Sequence, residues 1–160
     1  MKTRGAPKVS KVSASEVAKW FLAKAHQDKK KVTNKKLQKL LYYAQGWHLA
    51  NFQCPLFPET IEAWIHGPAI ASVYHEYKSY GFSPILTAGV VSPILAKDSS
   101  RLLGDVWRVY GKYDGDYLER LSHSEPPWQL AREDMEALES SQAEISLESL
   151  ISYFGAMLQE

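Results

Sequence analysis

Val17, Phe21, Leu22 and Ala25 recur at helical intervals, and Ser13 stands three residues before Glu16, the spacing of a capping box. Together they predict a first helix near residues 14–27, closed by a polar stretch over 27–31. A second apolar stripe runs through Leu37, Leu40, Leu41, Ala44 and then Trp47 or His48, with Thr33 placed to cap its start. Lys35, Lys36 and Lys39 fall off that stripe and are expected to face water or a partner. Gly46 lies inside the same helix, where it costs about 1 kcal/mol relative to alanine. Close packing against a neighbouring element would account for the missing side chain.

Pro55 and Pro58 interrupt the helical pattern. Residues 60–66 mix β-formers with some alternation, which predicts a short strand. Pro68 suits a first helical turn, and Ile70, Val73, Tyr74, Tyr77 and Tyr80 repeat at helical spacing up to Gly81. A third helix is therefore expected near 68–80. Residues 82–98 hold two prolines, a glycine and short apolar runs, and read as a loop with one or two irregular strands. Ser99 or Ser100 is expected to cap a helix carrying Leu103, Val106, Trp107 and Tyr110, and Asp114 a short one carrying Tyr117, Leu118 and Leu121. Pro127 starts another, through Met135. Residues 139–144 are mostly polar, and Ser146 opens a last helix with Leu147, Leu150, Ile151, Phe154 and Leu158 inward. The fold class is mostly α, or α+β by a strict count. The expected layout is a flexible basic arm over 1–12 and one compact helical domain over 13–160, with a short strand near 60–66.

Composition narrows the class. The chain has 160 residues, 45% apolar and 23% charged, enough to fold without metal or disulfide staples. No apolar run approaches the roughly 18 residues of a membrane span, and the N-terminus has charge without an apolar core, so neither a membrane anchor nor a secretory signal is expected. Cys54 is the single cysteine, which points to a reducing, cytoplasmic setting. The net charge of +1 conceals a split. Residues 1–40 hold twelve Lys/Arg against Glu16 and Asp28, whereas residues 41–160 hold seven against sixteen acids. A basic face of this kind serves a nucleic acid, an acidic protein partner or the protein's own oligomer.

Candidate chemistry is sparse. His26, His48, His66, His75 and His123 show no metal-ligand spacing; Glu62 and His66 share a strand face with Trp64 but lack further ligands. Cys54 has no flanking nucleophile motif, and no phosphate loop, dinucleotide fingerprint or nucleophile elbow is present. The expectation is a binding module without catalytic residues, metal or cofactor. Its candidate contact residues are Lys29, Lys30, Lys31, Lys35, Lys36 and Lys39, with Tyr80 as an exposed aromatic anchor at a helix end. A lysine-rich helix–link–helix also suits phosphate, but arginine, the commonest base reader, is absent from residues 5–100.

The stretch from Lys36 to Trp47 (KLQKLLYYAQGW) resembles the signature of the Panacea domain, the SocA-like, phage-associated antitoxin family. Leu37, Leu40, Tyr42, Tyr43, Gly46 and Trp47 carry the match. Three further blocks agree in order: Pro55-Leu56-Phe57; Glu62-Ala63-Trp64 with His66-Gly67-Pro68 and Val73-Tyr74; and Leu121 to Glu125, including His123, with Pro127-Trp128. The resemblance covers roughly residues 15–135. It departs at Ala69-Ile70-Ala71, where the family shows Val and a second Pro, and at Ser122, where Thr is usual. The resemblance implies a helical antitoxin that neutralises a cognate protein toxin by direct contact. It also implies an alternative, an adaptor that hands the toxin to a protease; the lysine-rich helix–link–helix keeps a nucleic-acid-binding regulator as a further alternative. The resemblance further implies that the recurrent residues are mainly architectural.

Overall fold

The computed structural model describes residues 12–136 and 139–159. Of the expected basic arm, residues 1–11 lie outside the described residues, and Val12 packs half-buried against the core. Helix α1 (Ala14–Gln27) starts on a complete capping box: the Ser13 side chain accepts from Glu16 N, and Glu16 accepts from Ser13 N at 3.1 Å. Helix α2 (Asn34–Phe52) starts at Thr33, whose hydroxyl accepts from Lys36 N at 3.2 Å. Thr33→Ala should lower stability by about 1 kcal/mol in a urea titration, since one helix-end N–H loses its acceptor.

The strand segment is a two-stranded hairpin, β1 (Glu62–Trp64) and β2 (Gly67–Ala69), paired antiparallel with Ala63 opposite Pro68. This corrects the third helix. Gly67, at φ 105°, supplies the left-handed turn residue, and Pro68 lies in β2 instead of opening a helix. Helix α3 is shorter, Ala71–Tyr77, and continues as a 3₁₀ turn over Lys78–Tyr80. No strand forms between Gly81 and Ala96. Helix α4 (Lys97–Tyr110) begins two residues earlier than Ser99 and has no side-chain cap. Helix α5 (Gly115–His123) is capped by Asp114, which accepts from Tyr117 N at 2.8 Å. Helix α6 spans Pro126–Ala131, and α7 (Leu147–Leu158) starts on Ser146. On α7, Leu150 and Phe154 are buried, whereas Leu147 and Leu158 remain exposed.

The polar stretch before α7 is tied to the sheet. Ala63 N donates to Ala143 O and Ile145 N to Ile61 O, both at 2.8 Å, and Ile145 is buried. Helix α2 is the hub, with α7, α5, α4 and β2 packed around it. It is buried almost all round, yet it carries Asn34, Lys36, Gln38, Lys39, Gln45 and His48. Buried polar groups need partners, and these six find them in the loops, the hairpin and the helix packed around α2. Gln45 accepts from Leu56 N at 2.7 Å and donates to Phe57 O at 2.8 Å. Gln38 accepts from Ile70 N at 2.8 Å, Asn34 donates to Tyr74 O at 3.0 Å, and His48 Nδ1 lies 2.8 Å from Cys54 O. The polar residues of α2 thus hold the loops and the hairpin to the helix. No described helix is long and apolar enough to cross a membrane.

Candidate functional site

The first motif block builds a closed centre. Tyr42 and Tyr43, adjacent on α2, both aim their hydroxyls at Glu125, the residue between α5 and α6. Tyr42 donates at 2.9 Å; Tyr43 reaches both carboxylate oxygens at 3.1 and 3.2 Å. Burial pushes the Glu125 carboxyl up to about 7, against the hydrogen bonds of Tyr42, Tyr43 and Tyr153, which favour the charged form. Burial likewise holds the Tyr42 and Tyr43 hydroxyls well above the ordinary phenol range. Tyr110 on α4 stacks on Tyr43 with ring centres 3.9 Å apart and accepts from Trp47 Nε1 at 2.9 Å. Phe154 sets its ring against Tyr42, Tyr43 and Trp47. A Cβ on Gly46 would overlap that Phe154 ring, which explains the glycine. Leu37 and Leu40 are fully buried in the same core.

The later blocks meet around the hairpin. Trp128 Nε1 donates to Trp64 O at 2.8 Å, and His123 stacks on Trp128 at 4.0 Å. The Nε2 atom of His123 is buried without a hydrogen-bond partner. Arg132 donates to Ala63 O at 2.7 Å and also to Glu139 O. Lys39 Nζ donates to Pro68 O at 3.1 Å, and its stem fills the space that a side chain on Gly67 would need. Burial lowers the Lys39 amine to about 7. Glu62 and His66 do not act on one face: Glu62 accepts from Trp64 Nε1 at 2.7 Å, whereas His66, beyond the strand, lies 3.2 Å from Glu119. An open cleft of about 390 Å³ runs beside them, lined by Trp64, Ile65, His66, Ser140, Ser141 and Gln142. No group of three metal-ligating side chains occurs among the described residues.

The basic run divides. Lys29, Lys30 and Lys31 are exposed on the turn between α1 and α2. Lys35 is half-buried and pairs with Glu119 at 2.7 Å and Asp116 at 2.9 Å. Burial works against its charge, but the two carboxylates outweigh it and hold its pKa above the ordinary value. Lys36 and Lys39, expected at the surface, are buried at 6% and 2% exposure. Lys36 Nζ donates to Gly111 O at 2.5 Å and sits over the Trp107 ring, and burial, aided by the charge of Lys30, lowers it to about 8. The physical reason is length: a lysine stem lies along apolar surface while its amine reaches a backbone carbonyl beyond the stripe. Charge reversal at either position would bury a carboxylate and report on folding, not on association. Tyr80, expected to be exposed, is half-buried against the core.

One surface feature escaped the periodicity argument. The loop from Gly81 to Ala96 displays Phe82, Leu86, Val91 and Ile94 to solvent. The available signal was sixteen consecutive residues without a charge. Periodicity predicts elements, and this segment forms none.

Comparison with known proteins agrees with the residue pattern. The family model described as antitoxin SocA-like, Panacea domain, matches residues 37–129. The antitoxin SocA of Caulobacter vibrioides (strain NA1000 / CB15N) is 31% identical over 129 residues, covering 73% of this chain and 69% of that protein. No solved structure matches the chain.

Proposed function

Because the chain belongs to the SocA-like antitoxin family with a Panacea domain, we propose that it neutralises a cognate protein toxin by direct contact, covering the toxin's working surface. One observation supports this beyond the family. Three motif side chains that bear chemistry are spent inside the molecule: Glu125 on tyrosine hydroxyls, and Lys36 and Lys39 on backbone carbonyls. Function then falls to the outer surface, and occlusion is what a rigid surface does without transforming its partner.

The test is growth. Each open reading frame adjacent to this gene is induced alone and together with the chain, and the two products are then purified together. Toxicity of the neighbour, growth restored by co-expression and a stable complex are the expected results. A harmless neighbour, or growth that stays arrested, would overturn the reading. Rescue with the toxin disappearing in a protease-dependent way would favour the adaptor alternative over occlusion. Rescue at the level of transcription, with nucleic-acid affinity falling steeply with salt, would favour the regulator.

A further inference from the structure

Two neighbouring surface features have no internal use. The first is the turn carrying Lys29, Lys30 and Lys31, none of which forms an ion pair among the described residues. The second is the uncharged loop from Gly81 to Ala96. A structureless connection this long in a compact domain is uncommon and is usually functional. It is also held in place. Ile85 is buried and donates from its N–H to Val32 O at 2.9 Å, and Thr87 Oγ1 lies 3.1 Å from His26 Nδ1. Val90 and Leu95 pack half-buried on the core.

These tethers join the two features. Ile85 and Thr87 bind residues 32 and 26, which bracket the lysine turn, so the exposed Leu86 is held next to that turn. Leu86 is 75% exposed, Val91 80% and Phe82 94%, and Ile94 is fully exposed. Single exposed apolar residues are ordinary; here Leu86 lies between the two tethers to the lysine turn and Phe82 lines a cleft with Thr33 and Lys35, both on one uncharged loop, a combination that marks an interaction site.

Resting on the antitoxin reading above, we propose that this combined surface holds the cognate toxin, which places on it an apolar segment bearing carboxylates. The charge argument selects that occupant. Lysines at the rim favour an acidic partner and speed encounter, while apolar side chains on the anchored loop slow release. A second copy of the chain is the competing occupant, because residues 41–160 carry the excess of acids.

The toxic neighbour identified by the growth assay is the probe, and the full chain is used throughout. The triple variant Lys29→Glu, Lys30→Glu, Lys31→Glu should slow association at low salt by about tenfold or more and reverse its salt dependence, since salt then screens a repulsion. The double variant Phe82→Ser, Leu86→Ser should speed dissociation by about tenfold or more with little change in association. All substituted positions are exposed, so both variants should keep the wild-type thermal midpoint. Wild-type rates in both variants, with rescue by the wild-type chain intact, would overturn the surface while leaving the antitoxin reading standing. A harmless neighbour would overturn both. A wild-type dimer that the double variant converts to monomers, with toxin binding unchanged, would reassign the patch to self-association.

Discussion

Gly46→Leu should destabilise the protein by at least about 3 kcal/mol, read as a lowered urea midpoint, because Phe154 must leave its site. The ring is fully buried and lies against Tyr42, Tyr43 and Trp47. Even Gly46→Ala should cost stability, although alanine gains about 1 kcal/mol in helix propensity. Its Cβ would overlap the Phe154 ring. Phe154→Leu in the Gly46→Ala background should recover part of the loss, giving a coupling between the two sites. Gly104 on α4 is the control, since a Cβ there meets nothing within 4 Å. Gly104→Ala should stabilise by about 0.5–1 kcal/mol. Equal effects at Gly46 and Gly104 would refute the packing account.

Glu125→Ala should cost about 3–5 kcal/mol, because two buried tyrosine hydroxyls lose their acceptor and a cavity remains. Glu125→Gln keeps the shape and an acceptor oxygen, so its value lies in the pH profile. The folded state holds the Glu125 proton up to about 7, whereas the unfolded chain releases it near 4.5. Stability from this group is therefore full below pH 4.5 and lost as pH rises to 7, by up to roughly 3 kcal/mol. Lys39 acts in the opposite sense: unfolded it keeps its proton to 10.5, folded only to about 7. Its penalty is full below pH 7 and relieved as pH rises toward 10.5. The two groups together place a stability minimum near neutral pH. Urea titrations of the wild type, Glu125→Gln and Lys39→Met at pH 5, 7 and 9 check this. The first variant should remove the acid limb and the second should shrink the alkaline limb, leaving the part due to Lys36, which burial lowers to about 8. Variants whose profiles parallel the wild type would show that neither group titrates as argued.

Helix starts were readable where a side chain bonds its own backbone a few residues on. Ser13, Thr33, Asp114 and Ser146 all cap the helices expected of them. At the third helix and at the expected Ser99 or Ser100 cap, distant contacts override local preference. Pro68 is drawn into a hairpin whose carbonyl Lys39 binds, and Ser99 instead meets His48 Nε2 at 3.1 Å. The motif tyrosines, tryptophans and glycines are legible as architecture, but not the convergence of Tyr42 and Tyr43 on Glu125, some eighty positions away.

Spacing within a few turns of chain is enough for the helical class, the capped starts of α1, α2, α5 and α7 and the close packing at Gly46, and four blocks in order between residues 36 and 128 are enough for the family. Which lysines are accessible and which surface is left free follow from the folded chain alone. A side chain's exposure depends on what packs over it from remote parts of the chain, and no local period records that. Lys31 and Lys36 are one and a half helical turns apart in number, yet one meets solvent and the other a buried carbonyl.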